Sequence, residues 1–388
     1  MKMLLLTSSF PRFGRISGVF IPDTIRILNN QGVDIHVLTQ NCDFHETYHE
    51  VLWPGCQVTY FGWHGGDTPL VSLFKNRGLH GLTLALQYFL HGFKTGRSIC
   101  SKWKPDILFA EWLIPAGFLA RLLSFATHTP YCCRALGSDV YIAAENAILR
   151  PVIKNVAKNS SLLFADGFDL CARTSALSGG KSCHFAATAR YPENKKSDFS
   201  FPDDSNRFTF CCIGRLHPVK GQDILIKACD ILRQKGIAFR CYLVGSGEEL
   251  DNLKRLIESF SLQNDVILTG QLEDGDVTYL LQKVDSIVIP SRSESIPMIM
   301  LEAVTAKKPL IVTSVGDMGF LAQKYKLGYI IPSEDYDKLA KALVSMSDSN
   351  MRDSFYDKAR YEALASVLSV ESGAKIIYEK IKELLQKT

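Results

Sequence analysis

Two glutamates and two cations are the residues of this chain whose types and spacing most clearly offer chemistry. Glu294 and Glu302 lie eight positions apart in SRSESIPMIMLEA, and Arg215 and Lys220 lie in the earlier segment GRLHPVKG. An arginine fork and a lysine point charge hold phosphate oxygens well, and carboxylates accept hydrogen bonds from sugar hydroxyls. The four side chains therefore predict a site for a ligand in which a diphosphate is joined to a sugar.

The two cations are placed at the end of a predicted strand and the start of a predicted helix. Arg215 follows the apolar run 208–213, and Lys220 directly precedes the helical pattern at 221–235. Helix N-termini add backbone N–H donors for anions, so we expect this segment to neutralise a departing diphosphate without a metal ion. The alternative is a surface arginine and lysine on an ordinary loop.

The two glutamates flank the start of another predicted helix. Pro297 suits the first helical turn, which leaves Glu294 in the loop after the predicted strand 285–290. Glu302 then lies within the helix, with its side chain angled back towards the N-terminus. The first amides of this helix point at the same place; they belong to Ile296, Met298 and Ile299. Both carboxylates can border one small polar ligand, although an ordinary loop glutamate and helix glutamate would give the same pattern.

Three glycine-containing segments carry weaker signals. The loop 10–18 between the first strand and the first helix suits phosphate contact, and a plain turn fits it as well. Residues 244–248 (VGSGE) lack the third glycine of the dinucleotide fingerprint and lie in the wrong βαβ unit, so they predict only a tight turn whose backbone comes near a ligand. No G-x-G-x-x-G follows the first strand, which argues against a nicotinamide oxidoreductase. Residues 175–182 (SALSGGKS) resemble a P-loop but lack its first glycine and precede a predicted strand, so we expect no nucleoside triphosphate hydrolysis there.

Length and composition bound the class of protein. A chain of 388 residues exceeds one compact core and fits two domains. Hydrophobic residues make up 46% and charged residues 22%, as in soluble globular proteins. The net charge of +4 is small and dispersed, which argues against a nucleic-acid partner.

The eleven cysteines favour reduced, buried thiols, because their number is odd and no C-x-x-C occurs. Five lie in apolar, strand-like runs: Cys132, Cys133, Cys211, Cys212 and Cys241. Cys171, Cys183 and His184 match no zinc spacing, so we expect no metal site and a cytoplasmic location. The first apolar run is too short for a signal-peptide core, and no run approaches the length of a membrane span.

Alternating apolar and amphipathic stretches predict two doubly wound α/β domains. Strands are predicted at 2–7, 33–38, 106–110, 130–134, 161–165, 208–213, 239–244, 265–268, 285–290 and 309–313. Helices are predicted at 19–31, 115–126, 221–235, 334–347 and 350–386, among others. The segment 188–206 is rich in Pro, Asn, Lys and Asp and is the predicted linker. Ligands of such sheets bind where the carboxyl ends of strands meet, so we expect a cleft between the domains to hold the site.

Nearly end to end, the chain resembles the retaining glycosyltransferases of family 4, which have the GT-B fold. The most specific motifs, in order, are GRLHPVKG, VGSGEE and PSRSESIPMIMLEA, and the N-terminal motifs are MKMLLLTSSFPRFGRISGVF, PDILFAEWLIPAG and RALGSDV. The resemblance implies two Rossmann-like domains facing across a cleft. The acceptor domain is expected at 1–190, joined by the C-terminal helix at about 370–388, and the donor domain at 205–369.

The resemblance also implies an activity. It is transfer of a hexose-type sugar from a UDP- or GDP-sugar to a glycan or lipid-linked acceptor, with retention of anomeric configuration, in cell-surface polysaccharide biosynthesis. Neither a cofactor nor a metal ion is expected. The implied mechanism is same-face attack assisted by the departing phosphate, so no residue is assigned as nucleophile.

Roles for individual residues follow from the same resemblance. Arg215 and Lys220 are implied to hold the donor diphosphate and to stabilise charge on the departing nucleotide. Glu294 is implied to contact the donor sugar near the reacting carbon, and Glu302 the ribose hydroxyls. Further donor contacts are implied for Gly18 at the phosphate, for Ser295, Ile296, Pro297, Met298 and Ile299 through their backbone, and for Gly270 and Gln271 beside the base.

Three departures from the family pattern keep other functions open. Leu136 and Glu111 stand where members often have histidine, and ATARYPEN replaces the usual Asn-Gly-Val-Asp near the linker. The phosphate and glutamate set is complete, which favours an active enzyme. The alternatives are a non-catalytic GT-B nucleotide-binding subunit, and a GT-B epimerase or phosphorylase that turns over donor without an acceptor sugar or lipid.

A basic stretch within 70–104 predicts a membrane surface as a partner. Residues 68–105 contain no acidic residue, and their six basic residues are Lys75, Arg77, Lys94, Arg97, Lys102 and Lys104. These flank the apolar segment LTLALQYFLHGF, and basic amphipathic stretches lie on anionic leaflets. We therefore expect a peripheral position on the inner face of the membrane and a lipid-linked acceptor. The alternative is a helix that packs on the core and has a solvated basic side.

Overall fold

The computed structural model describes residues 1–11, 18–41, 46–66, 78–190, 201–202 and 206–387. The chain divides into two compact units, the first comprising residues 1–190 with 370–388 and the second comprising residues 191–369. Most of the predicted linker at 188–206 lies outside the described residues, at 191–200 and 203–205.

The first unit is built on an eight-stranded sheet. Its strands are β1 Lys2–Leu6, β2 Asp34–Asn41, β3 Tyr48–Trp53, β4 Cys56–Gly62, β5 Ile107–Glu111, β6 Tyr131–Ala135, β7 Leu162–Ala165 and β8 Cys183–Phe185. They lie in the order β3-β4-β2-β1-β5-β6-β7-β8, and only β3 is antiparallel to its neighbour. The helices are α1 Ile21–Asn30, α2 Gly78–Trp103, α3 Ala116–Thr127, α4 Leu149–Asn159 and α5 Phe168–Ser178. Strands β1 and β5 are apolar except for one charged residue at one end, because helices cover both faces of a parallel sheet.

The second unit is built on a six-stranded, fully parallel sheet. Its strands are β9 Phe208–Ile213, β10 Phe239–Val244, β11 Val266–Gly270, β12 Ser286–Ile289, β13 Leu310–Thr313 and β14 Gly328–Ile331, in the order β11-β10-β9-β12-β13-β14. The helices are α6 Gln222–Gln234, α7 Leu250–Ser259, α8 Asp274–Lys283, α9 Met298–Thr305, α10 Met318–Tyr325, α11 Tyr336–Met346, α12 Ser349–Phe355 and α13 Lys358–Leu368. The C-terminal helix α14, Val370–Leu385, belongs to the first unit and packs against α1.

All ten predicted strands are present. The structure has four further strands that the sequence does not predict, and one predicted helix is wrong. The missing strands are the exposed edge strand β3 with its partner β4, and the short strands β8 and β14. The single helix predicted at 350–386 is three helices, α12, α13 and α14. It is interrupted because Asp357 caps α13 by accepting from the Arg360 amide at 3.0 Å, and because Ser369 has an extended backbone.

None of the helices in the described part of the chain is both long enough and apolar enough to cross a membrane. The five cysteines that the sequence assigns to strands are all buried and free. Burial raises the pKa of the Cys132 thiol to about 12, as expected for a thiol that acts as a small hydrophobe.

Candidate functional site

The candidate site lies at the carboxyl edge of the six-stranded sheet. Strand β9 pairs with β10 on one side and with β12 on the other, all in parallel. The loops 214–221, 245–249 and 290–297 follow these three strands, so they emerge side by side at one edge. The three motifs of the donor domain are therefore neighbours in space.

The central contact of this edge is an ion pair between Lys220 and Glu294. The Lys220 Nζ atom donates to the Glu294 Oε1 atom, and the Ser291 hydroxyl donates to the same oxygen at 3.2 Å. The side chains are 30% and 15% exposed respectively, so a ligand can reach them. A residue predicted to bind phosphate, Lys220, is thus in direct contact with a residue predicted to bind the sugar, Glu294.

Two glycines bring the backbones of this edge into close contact. Gly221 has a φ of +70°, and a Cβ atom there would lie 2.1 Å from the Pro290 carbonyl oxygen. Gly316, in the loop after β13, has a φ of +52°, and its Cβ would lie 2.0 Å from the Glu294 carbonyl oxygen. Only glycine fits either position, so the loops that carry Lys220 and Glu294 are positioned by backbone packing.

Arg215 and His217 lie in the same loop as Lys220. The Arg215 side chain is exposed and has no ion-pair partner among the residues the structure describes, while its carbonyl accepts from Gln222 Nε2 at 3.1 Å. His217 Nδ1 accepts from the Val219 amide at 3.2 Å and caps the short turn 218–220. The free arginine and the paired lysine leave one cation directly available to an anionic ligand.

The segment 295–299 presents backbone rather than side chains. Ser295, Ile296, Pro297 and Ile299 are buried, which leaves their backbone groups as the means of contacting a ligand. The Ser295 hydroxyl is buried and has no hydrogen-bond partner among the described residues. The sequence predicts Pro297 in the first helical turn, and this prediction is wrong. Pro297 has an extended backbone with a ψ of 142°, and α9 begins one residue later at Met298. Glu302 is half-buried in α9, one turn from that start.

Gly270 and Gln271 lie beside the glycine loop that follows β10. The Gly245 amide donates to the Gly270 carbonyl at 2.8 Å, and the Ser246 hydroxyl donates to Gln271 Oε1 at 3.4 Å. The Leu216 amide donates to the Ser246 carbonyl at 2.9 Å. The VGSGE segment therefore joins the predicted base-binding residues to the Arg215 loop, which is the modest role expected of it.

The first unit contributes Gly18, which follows residues outside the described part of the chain. Gly18 has a φ of +75°, and a Cβ there would lie 2.3 Å from the Ser9 carbonyl oxygen. Its own carbonyl accepts from the Ile21 amide at 3.0 Å at the start of α1. Gly18 is thus fixed against the loop that follows β1.

A buried ion pair occupies the position where the family resemblance predicts histidine. Glu111 ends β5 and faces Arg134 in β6, and both side chains are 0% exposed. Arg134 Nε donates to Glu111 Oε2 at 2.9 Å, and Nη1 donates to the Ala187 carbonyl at 3.5 Å. The guanidinium carbon lies 5.4 Å from the centre of the Phe20 ring. The carboxylate at position 111 is therefore compensated by a cation on the adjacent strand.

Asp139 ties together the loops that follow β5 and β6. Its carboxylate accepts from the Leu113 amide at 2.7 Å and from the Leu136 amide at 3.2 Å. Burial raises the pKa of Asp139 to about 6, although the amide hydrogen bonds favour the ionised form. Leu136, which replaces the family histidine, is half-buried in this loop.

Arg292, Arg134 and Asp139 make contacts in and beside these loops that the sequence does not predict. Arg292 makes a two-bond fork to Asp223, with both N···O distances at 2.8 Å. Burial opposes ionisation of Asp223, but the fork outweighs burial and holds the pKa of Asp223 below its usual value. Their positions within family motifs are the only sequence feature that points to them: Arg292 lies in PSRSES, and Arg134 and Asp139 lie in RALGSDV.

Two further segments of the sequence resemble sites of other kinds, a metal site and a P-loop. The described residues contain no group of His, Cys, Asp and Glu side chains that could hold a metal ion. The P-loop-like segment 175–182 starts inside α5, passes the helix end at Gly179 and leads into β8. It therefore precedes a strand, as predicted, and does not join a strand to a helix as a P-loop does.

Comparison with known proteins supplies the family context. Residues 193–362 match the family model "Glycosyl transferases group 1", and residues 13–166 match "Glycosyl transferase 4-like". The chain is 24% identical to an uncharacterised glycosyltransferase of Methanocaldococcus jannaschii over 82% of this chain and 80% of the relative. It is also 24% identical to a Bacillus subtilis glycosyltransferase assigned to teichuronic acid biosynthesis, over 71% of this chain and 70% of the relative.

The fold is similar to that of HepE from Anabaena, solved in complex with UDP-glucose. The TM-score is 0.73 at 18% sequence identity, with 99% of this chain and 100% of HepE covered. Together with the two parallel-sheet α/β units, this likeness confirms the predicted GT-B fold.

Proposed function

Because the chain belongs to the group 1, family 4 glycosyltransferases, we propose that it transfers a hexose-type sugar from a UDP- or GDP-sugar to a glycan or lipid-linked acceptor, with retention of anomeric configuration. The observation that carries the proposal is the meeting of Lys220 with Glu294 at the carboxyl edge of the second sheet, in the same loop cluster as the exposed Arg215.

Donor binding exchanges one partner of the ion pair for another. The diphosphate takes the Lys220 ammonium group, and the Arg215 fork adds a second charge-assisted contact. Glu294 is then free to accept hydrogen bonds from sugar hydroxyls near the reacting carbon. The two cations stabilise the negative charge that develops on the departing nucleotide, and in this scheme no metal ion is needed for that task.

The helix start completes the donor site. Backbone amides at the N-terminus of α9 favour an anion, and the unpartnered Ser295 hydroxyl lies just before it. Glu302 accepts from ribose hydroxyls, and Gly270 and Gln271 border the base. Same-face attack assisted by the departing phosphate would need no protein nucleophile, and none is assigned.

Two relatives support the choice of donor and pathway. HepE was solved with UDP-glucose, which favours a UDP-sugar, and a relative of similar length is assigned to teichuronic acid biosynthesis. We therefore place the activity in cell-surface polysaccharide biosynthesis.

Helix α2 supports an anionic membrane surface as a partner. Three leucines spaced four residues apart are exposed along it, Leu82 at 46%, Leu86 at 54% and Leu90 at 66%. Lys94 and Arg97 are exposed in the next turns. An apolar stripe followed by cations suits the interface of an anionic leaflet, and would bring the protein to a lipid-linked acceptor on the cytoplasmic side. Lys75 and Arg77 lie outside the described residues.

Leu136 favours a second candidate function, a nucleotide-binding subunit without turnover. An apolar side chain there cannot make the polar contact that the family histidine makes with the donor sugar. Release of nucleoside diphosphate from a nucleotide-sugar separates this candidate from an enzyme. A GT-B epimerase or phosphorylase would instead convert the donor in the absence of any acceptor sugar or lipid.

Nucleotide binding tests the proposed site. Thermal unfolding of the protein is measured with UDP, GDP, ADP and their common sugar conjugates, alongside Lys220→Ala and Arg215→Ala. A ligand at a hundredfold excess over its Kd stabilises by about 2.7 kcal/mol, which raises Tm by a few degrees. We expect a rise with UDP or GDP compounds that is lost in both variants. A well-folded protein that responds to none of these compounds would contradict the proposal.

A further inference from the structure

Arg292 has all five of its guanidinium donors occupied by groups of the protein. Nε and Nη2 donate to the Glu334 carboxylate, the second at 3.1 Å. Nη1 and Nη2 donate to the two Asp223 oxygens, each at 2.8 Å, and Nη1 also donates to the Pro218 carbonyl. The Arg292 backbone amide donates to the Val219 carbonyl at 2.7 Å.

These contacts fasten the segment that carries Lys220. Residues 218–220 form one short turn, and Asp223 lies in the first turn of α6 that follows it. Arg292 itself stands two positions before Glu294 in the loop after β12. It therefore joins the residues on both sides of Lys220 to the loop of Glu294, the partner of Lys220.

The geometry separates this residue from the cations that bind a ligand. An arginine has five N–H donors, and none is left over on Arg292 for a phosphate. A lysine has a single ammonium group and cannot reproduce the planar fork to Asp223. The Arg292 side chain is 27% exposed and that of Asp223 is 30% exposed, so this ion pair is better shielded from water than that of an ordinary surface pair.

We propose that Arg292 is a positioning residue of the donor site, which sets the place of Lys220 relative to Glu294 and thereby the affinity for a nucleoside diphosphate. This inference rests on the proposed function, because it concerns the same diphosphate. Arg292 acts through Lys220 and does not touch the ligand.

The test is titration calorimetry of Arg292→Ala and Arg292→Lys with UDP and, in parallel, GDP, together with hydrogen exchange of residues 217–223. Arg233→Ala is the matched control, because Arg233 also pairs with a carboxylate of the second unit, Asp230 at 2.8 Å, but lies in the last turn of α6, at the opposite end of that helix from Asp223. We expect Arg292→Ala to weaken binding at least tenfold and to speed exchange at 217–223. Arg292→Lys keeps the charge without the fork and should fall between Arg292→Ala and wild type, and Arg233→Ala should bind as wild type does.

Each other outcome overturns the inference. If Arg292→Ala binds as tightly as wild type, Arg292 does not position the site, while the proposed function stands. If it loses affinity with unchanged exchange at 217–223, Arg292 contacts the ligand itself. If wild type binds neither UDP nor GDP, the proposed function fails and the inference fails with it. Should Arg292→Ala not fold, Arg292→Lys decides by the same two measurements.

Discussion

The Lys220 ammonium group donates to the Glu294 carboxylate although the two residues are 74 positions apart in the sequence. The contact exists because β9 and β12 are adjacent parallel strands whose carboxyl ends meet at one edge. Without a ligand, each side chain satisfies the charge of the other. In the proposed donor complex, a diphosphate replaces Glu294 as the partner of Lys220, and a sugar hydroxyl group then donates a hydrogen bond to the Glu294 carboxylate.

Replacing Gly316 by alanine should damage the donor site. The new Cβ would lie 2.0 Å from the Glu294 carbonyl oxygen, so the loop must move. Gly236→Ala is the matched control, because Gly236 has a φ of +71° but no atom within 4 Å of a Cβ. We expect the control to lose about 1 kcal/mol through backbone strain alone. Gly316→Ala should lose more and should also weaken nucleotide binding. Equal losses in denaturant unfolding, with equal binding, would contradict the packing argument.

Breaking the Glu111–Arg134 pair should destabilise the first unit strongly. Glu111→Ala leaves a buried guanidinium without its counter-charge, which costs about 3–5 kcal/mol. The double variant Glu111→Met with Arg134→Met removes both charges and should recover most of that loss. Denaturant unfolding of the two proteins and wild type measures the difference. A double variant as unstable as Glu111→Ala would show that the loss comes from packing and not from an unpaired charge.

Asp139 should make stability fall as the pH rises. Its folded-state pKa of about 6 lies above the ordinary value of 3.8, so between these values the folded chain holds a proton that the unfolded chain has lost. The stabilisation is complete below about pH 4 and is lost as the pH rises through 6, by on the order of 3 kcal/mol. Asp139→Asn cannot titrate. The Tm of wild type minus that of Asp139→Asn should therefore decrease between pH 4 and pH 7, and a constant difference would contradict the assignment.

The exposed face of α2 should hold the protein on anionic vesicles. Changing Lys94, Arg97, Lys102 and Lys104 to glutamate reverses the charge in the last turns of α2 and just after it, and each cation near such a surface contributes about 1 kcal/mol. Sedimentation with vesicles that contain anionic lipid should recover wild type but not the variant. Vesicles of neutral lipid are the control. If the variant sediments with anionic vesicles as wild type does, these four cations do not bind the protein to a membrane.

The fold could be predicted from the sequence because strands of parallel sheets are buried on both faces. Runs such as KMLLL and ILFAE are apolar except for one charged residue at one end, and they stand out against the amphipathic helices. Strand β3 escapes the same reasoning, since it is an edge strand whose residues are mostly exposed. The break between α12 and α13 depends on a single cap at Asp357, which a continuous helical pattern hides.

The candidate site could be predicted in part. The sequence predicts Lys220 and Glu294 at one site because each follows a strand. Their direct contact could not be predicted, because it depends on the two strands being neighbours in the sheet. The contacts of Arg292 could not be predicted, because its partners Asp223 and Glu334 lie far apart in the sequence and are brought together only by the fold. Arg134 likewise lies in an apolar strand, where its partner Glu111 is visible only once β5 and β6 are paired.

A crystal structure of the protein with the nucleoside diphosphate that binds it tests the central claim most directly. The account predicts that the diphosphate oxygens lie within hydrogen-bond distance of Lys220 Nζ and the Arg215 guanidinium, and that the contact between Lys220 and Glu294 is broken. A diphosphate bound elsewhere, or one bound while Lys220 still pairs with Glu294, would contradict it.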